Sequence, residues 1–222
     1  RLSRTAFDGK AIARACANGS SEFMSNISMN LVGMLYNIQL IKYAGEDGVA
    51  AYGVLMYVSM IFSAAFIGYS IGTAPVFGYH DGAKNHGELK GLLRKSLLMI
   101  GCFGVTMVIS GELLAEPLAR LFVGYDERLM TLTISGFRIF ALSFLFMGFA
   151  IFGSGFFTAL NDGLTSALIS FLRTLVFQVA AVLLLPLHWG IDGIWWSIAV
   201  AEVMAVVFSA LFLVLKRKKY GY

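Results

Sequence analysis

Four polar side chains, Glu22, Asn26, Asn30 and Asn37, interrupt the first long apolar stretch of this 222-residue chain, with Gly33 among them. Steps of four, four, three and four residues place all five on one face of a helix. Ile27, Leu31, Val32, Met34 and Leu35, off that face, are apolar. Amides donate and accept hydrogen bonds, and a carboxylate takes a proton or a cation, so the stripe offers both a ligand wall and an ion site. An acidic residue at the centre of a helix in lipid costs roughly 2.5–3.5 kcal/mol on insertion scales, so this face must meet protein or water. Interhelical hydrogen bonding, at about 0.6 kcal/mol per bond, is one use for it. A hydrated cavity is the other, and it is the reading taken, because glue rarely needs so many consecutive turns. Asn26, Asn30 and Asn37 are therefore candidates for cavity and substrate contact, and Glu22 for the coupling ion.

Two further ionisable residues, Arg173 and Glu202, sit inside the fifth and sixth apolar stretches. At 1.5 Å per residue their depths differ by about 6 Å, within reach of an arginine side chain if the two helices are antiparallel neighbours. A buried, structural ion pair is the default expectation. The alternative is that Glu202 exchanges a proton or cation, which makes it a second coupling candidate. Catalytic constellations are missing: His80, His86 and His188 are scattered, and neither metal-spaced ligands nor a phosphate loop occurs. The chain does not read as an enzyme, and no metal or cofactor is expected.

The elements that must hold these groups are long and apolar. Hydrophobic residues make up 58% of the chain and charged residues 14%, far from a soluble domain's balance of roughly half and a quarter. Six stretches, about 20–41, 49–77, 96–114, 137–157, 165–187 and 193–215, approach or exceed the ~20 residues that cross a bilayer core. The expected organisation is a link or surface helix over 1–19, a six-helix bundle over 20–215 and a basic tail over 216–222. Lys and Arg sort by side. Twelve of the seventeen (Arg1, Arg4, Lys10, Arg14, Lys84, Lys90, Arg94, Lys95, Lys216, Arg217, Lys218, Lys219) fall on one side, and only Lys42, Arg120 and Arg128 on the other. By the positive-inside rule both termini are cytoplasmic and the protein is multi-pass in the cell membrane. The net charge of +4 is thus an anchoring pattern and not a nucleic-acid signature. Cys16 and Cys102 lie in different environments and are not expected to pair. The start at Arg1, without a signal peptide, reads as the middle of something longer.

Local signals add detail. Asp81-Gly82 and Asn161-Asp162-Gly163 mark turns, and Asp126 suits a helix N-cap. Pro117 fits a separate interfacial helix over 113–122, and Trp189, Trp195 and Trp196 an aromatic belt. The run Gly68, Gly72, Pro75 and Gly78 is expected to bend or loosen helix two, as a hinge or a close-packing element.

Taken together, these residues resemble the multidrug and toxic compound extrusion (MATE) family, in its C-terminal six-helix half. The resemblance rests on Gly19-Ser-Ser-Glu-Phe with the Asn-rich span and Gly48-Val-Ala-Ala-Tyr-Gly53, and on the glycine-rich stretch from Gly68 to Ala83. It continues through Phe156-Phe157-Thr-Ala-Leu160 with Ser170-Phe-Leu-Arg173, and through Leu185-Pro186, Gly190-Ile-Asp-Gly-Ile-Trp195-Trp-Ser197 and Ala201-Glu202. It implies an all-α integral membrane protein, one half of a twelve-helix alternating-access transporter partnered by an N-terminal six-helix half. It also implies proton- or sodium-coupled export of amphipathic, often cationic compounds. A flippase for a lipid-linked sugar is the alternative. Glu22 lies shallower than the acidic residue that some members use in the corresponding helix, so the resemblance does not assign it the coupling role.

Overall fold

A computed structural model describes residues 9–222, apart from the side chains at positions 11, 17, 18, 20–22, 24 and 25. Glu22 is thus among the side chains outside the described residues. The elements are α1 (Gly9–Gly82), α2 (His86–Val123), α3 (Glu127–Ala141) and α4 (Ser143–Ala159), then α5 (Gly163–Phe171), α6 (Gln178–Leu184) and α7 (Pro186–Tyr220). A π-helical turn, Leu172–Phe177, joins α5 to α6. No strand occurs among the described residues.

α1 is two rods. Helical geometry breaks at Gly45, with φ 67° and ψ −151°, a conformation open in practice to glycine alone. The rings of Tyr36 and Tyr52 stack at 5.2 Å, whereas sixteen residues of straight helix would hold them about 24 Å apart. The chain therefore turns back on itself at Gly45. Four helices are long and apolar enough to cross a membrane, or five when α3 with α4, bent by 46°, is counted as one span. Counting the limbs of α1 separately gives six among the described residues.

One expectation about the helices needs correction. Residues 113–122 form no separate interfacial helix: α2 runs through Pro117 to Val123. Its buried face continues unbroken through Gly111, Ala115, Ala119 and Val123 at four-residue steps, so packing holds the helix together past the proline. Pro75 does not interrupt the helical φ/ψ of α1 either; the break is at Gly45.

Small residues let the rods approach closely. A Cβ on Gly148 would meet Phe66 at 2.5 Å, and one on Gly136 would meet Trp195 at 2.8 Å. Trp195 is fully buried against that glycine and does not join a belt, whereas Trp189 and Trp196 are exposed. Aromatic packing of Phe77, Phe152 and Phe156 fills the core at one end.

At that end, Asp162 caps α5 through Thr165 N. Its Oδ2 also accepts hydrogen bonds from Lys216 Nζ (3.2 Å), Lys219 Nζ (3.5 Å) and Tyr220 OH (2.8 Å). His86 Nδ1 lies 2.9 Å from Tyr220 O, so the α1–α2 and α4–α5 turns and the end of α7 meet there. The opposite end joins Asp47 to Arg128 (3.9 Å) and Glu112 to Arg138 (3.8 Å). Alternate connections thus gather at opposite ends of the bundle, as six crossings require.

Candidate functional site

A cavity of about 320 Å³ opens among five of the six rods, and no α2 residue lines it. From the first limb of α1 come Asn26, Met29, Val32, Gly33 and Tyr36. The second limb supplies Tyr52, Met56, Ser59, Ser63, Ile67, Ser70 and Ile71. Most steps along each limb are three or four residues, so one helical face of each looks into the space. α3 and α4 add Phe140, Met147, Ile151, Ser154 and Gly155, and α7 adds Ile198 and Glu202. Ser170, Arg173, Thr174 and Gln178 complete the wall around the π-helical turn.

That turn has chemical consequences. A π-helical turn shifts the register of side chains, and such turns recur at functional sites. Here it begins at Leu172 and carries Arg173 towards α7. Arg173 Nε lies 2.9 Å from Glu202 Oε2 and 3.1 Å from Oε1, and Nη2 lies 2.9 Å from Oε1. This is a bidentate, charge-assisted pair, the strong geometry for arginine and carboxylate. The Glu202 side chain is 2% exposed and that of Arg173 18%. A hydroxyl chain joins α4 to α5: Ser154 Oγ is 2.8 Å from Ser170 Oγ and 2.9 Å from Ser166 Oγ, and Thr158 Oγ1 is 2.6 Å from Ser166 Oγ.

The polar stripe of the first helix divides. Asn26 and Gly33 line the cavity, whereas Asn30 and Asn37 are exposed and do not. Asn30 Nδ2 donates to the Asn26 carbonyl at 3.0 Å. The cavity-facing edge of this helix is instead Asn26, Met29, Gly33 and Tyr36, turned towards the second limb and away from Asn30 and Asn37. Gly68 and Gly72 face open space, and a Cβ on Gly78 would meet Ala159 O at 3.2 Å.

Sequence reasoning missed Tyr36, Tyr52 and Gln178. Tyr36 OH donates to Gln178 Oε1 (2.8 Å) and lies 2.8 Å from Ser197 Oγ, linking three rods in one buried network. A lone tyrosine or glutamine in an apolar helix carries no periodic signal. Ser59, Ser63 and Ser70 do share a helical face, and that spacing could have exposed them.

A family model described as MatE matches residues 23–183, most of the chain. The chain is a member of the MATE (MatE) family. Among similar proteins, Multidrug export protein MepA of Staphylococcus aureus (strain bovine RF122 / ET3-1) is 21% identical over 201 residues, 90% of this chain and 44% of that protein. Probable multidrug resistance protein YoeA of Bacillus subtilis (strain 168) is 26% identical over 208 residues, 89% of this chain and 43% of that protein. An outward-facing multidrug resistance MATE family transporter of the MOP superfamily superposes with a TM-score of 0.92 at 20% identity, over 100% of this chain and 50% of that one. A MATE crystal structure in complex with MaL6 gives 0.89 at 21%, over 97% and 49%. These structures establish a MATE fold. The chain spans less than half the length of the curated relatives it matches.

Proposed function

We propose that this chain is the C-terminal six-helix half of a twelve-helix antiporter, which exports amphipathic, often cationic compounds against a proton or sodium gradient by alternating access. The observation that carries the reading is the cavity: apolar and aromatic walls, hydroxyl and amide groups, and one buried ion pair, enclosed by the rods of a MATE half. MepA and YoeA, named as multidrug export and resistance proteins, agree with such cargo. Asn26 contacts cargo, while Asn30 and Asn37 face the N-terminal half across the shared interior. Glu202, which also forms the structural pair with Arg173, and Glu22 are the two candidates for the coupling carboxylate. Gly68, Gly72, Pro75 and Gly78 let the second rod flex between states. The end holding Asp162 and the basic tail is cytoplasmic, which agrees with the twelve-to-three sorting of Lys and Arg.

Proteoliposomes containing the intact transporter test this directly. A cationic fluorescent dye should accumulate when a proton or sodium gradient is imposed, and dissipating that gradient should stop it. Dye movement indifferent to both gradients would reject the antiport reading. Cysteines at Asn26 and Ser63 should react with aqueous thiol reagents and be protected by the dye, whereas one at Leu40, fully buried, should stay silent.

A further inference from the structure

The buried ion pair shows the cavity two unequal faces. Glu202 is almost wholly enclosed, and both of its oxygens are held by Arg173. Arg173 keeps 18% of its side chain exposed. A guanidinium carries five N–H donors in a planar fork. Nε and Nη2 are committed to the carboxylate, while Nη1 makes no hydrogen bond to a described residue and is not among the enclosed, unpartnered atoms. Among the described residues, no other Lys, Arg, Asp or Glu lines the cavity. The two charges of the pair offset each other, and the edge that Arg173 shows the cavity is a donor. Of the two charged groups, the guanidinium is the more accessible.

The surroundings fit one kind of partner for that edge. Tyr36 and Tyr52 line the same cavity, buried and stacked on each other with ring planes within 5° of parallel. Gln178, on the same helical rod as Arg173, accepts the Tyr36 hydroxyl and so ties the tyrosines to the donor edge. Resting on the transporter reading, we propose that Arg173 Nη1 is a cargo-binding donor. Its ligand is an oxygen acceptor, a carboxylate or sulfonate, carried on an amphipathic body. Arginine suits the role because its planar N–H groups match such oxygens and its charge persists when desolvated. Glu202 is then a positioning residue, which fixes the plane of the guanidinium.

Two probes sharing a fluorophore separate the alternatives: dansylglycine, which ends in a carboxylate, and dansylcadaverine, which ends in an ammonium. Fluorescence anisotropy on the intact transporter in phosphatidylcholine nanodiscs reads their affinities. Dansylglycine should bind the wild type and lose at least tenfold in R173M/E202Q, a double variant that leaves no unpaired buried charge. R173K, which retains a donor and the charge, should recover part of that loss. The loss for dansylglycine should exceed any change for dansylcadaverine by at least threefold, and equal losses of the two probes would also overturn the proposal. No binding of dansylglycine to the wild type, or equal affinity in the double variant, would overturn the proposal. Gradient-driven uptake of dansylcadaverine by the wild type would still sustain the transporter reading in that event, so the two failures are distinguishable.

Discussion

Removing one member of a buried pair leaves a charge that neither water nor protein balances. Glu202 and Arg173 meet that condition, with three hydrogen bonds between them and the carboxylate 2% exposed. Glu202→Gln and Arg173→Met should each cost about 3–5 kcal/mol. The double variant should regain much of that loss, because the two penalties share one cause. Thermal unfolding of the purified protein checks this, and strictly additive losses would mean that the residues do not depend on each other. Transport then separates a clamp from a coupling site. A clamp lets the folded double variant respond to a pH gradient, whereas loss of Glu202 as proton carrier abolishes that response.

At the scale of the element, two glycines in α1 should behave in opposite ways. Gly45 sits at φ 67° and ψ −151°, where a side chain is strained whatever space surrounds it. Gly45→Ala should destabilise by about 1–3 kcal/mol, by thermal or denaturant unfolding. Gly72 is helical and exposed, with nothing within 4 Å of an added Cβ. Gly72→Ala should be neutral or stabilise by up to about 1 kcal/mol, since alanine favours the helix over glycine. If this rod flexes during the cycle, the same variant should slow export while raising the melting temperature. Unchanged export would assign Gly72 no role in motion.

For the whole molecule, the end of the bundle built on Asp162 provides a pH test. Burial alone would raise its pKa, but hydrogen bonds from Tyr220, Lys216 and Thr165 outweigh that and hold the carboxyl well below the usual range. A carboxyl lowered in the folded state stabilises above its unfolded pKa of about 3.9, and the contribution drains away as pH falls further. Asp162→Asn keeps a helix-capping side chain and removes only the charge. The melting-temperature gap between wild type and D162N should therefore be constant from pH 5 to 7 and shrink below pH 4. A gap independent of pH would show that the charge contributes nothing. Orientation is tested separately by single cysteines at Lys84 and Arg128, after replacement of Cys16 and Cys102. An impermeant reagent outside intact cells should label position 128 and spare position 84.

Class, crossing number and the sorting of ends were legible in the sequence, because lipid enforces them residue by residue. Every crossing must be long and apolar, and the positive charges must stop at its edges. Arg173 and Glu202 could also be matched, since depth along a helix follows from counting residues. Which way each helix turns about its own axis could not be counted. Asn26, Asn30 and Asn37 share a face, yet packing against Tyr52 and the second limb of α1 rotates that helix so that Asn26 meets the cavity and the other two do not. The π-helical turn at Arg173 was likewise hidden, because shifting hydrogen bonds from i+4 to i+5 leaves no compositional mark. Trp195, next to exposed Trp196, became core only because Gly136 on another rod leaves room for its ring. Such choices are made by contacts between distant segments, and only the tertiary structure contains them.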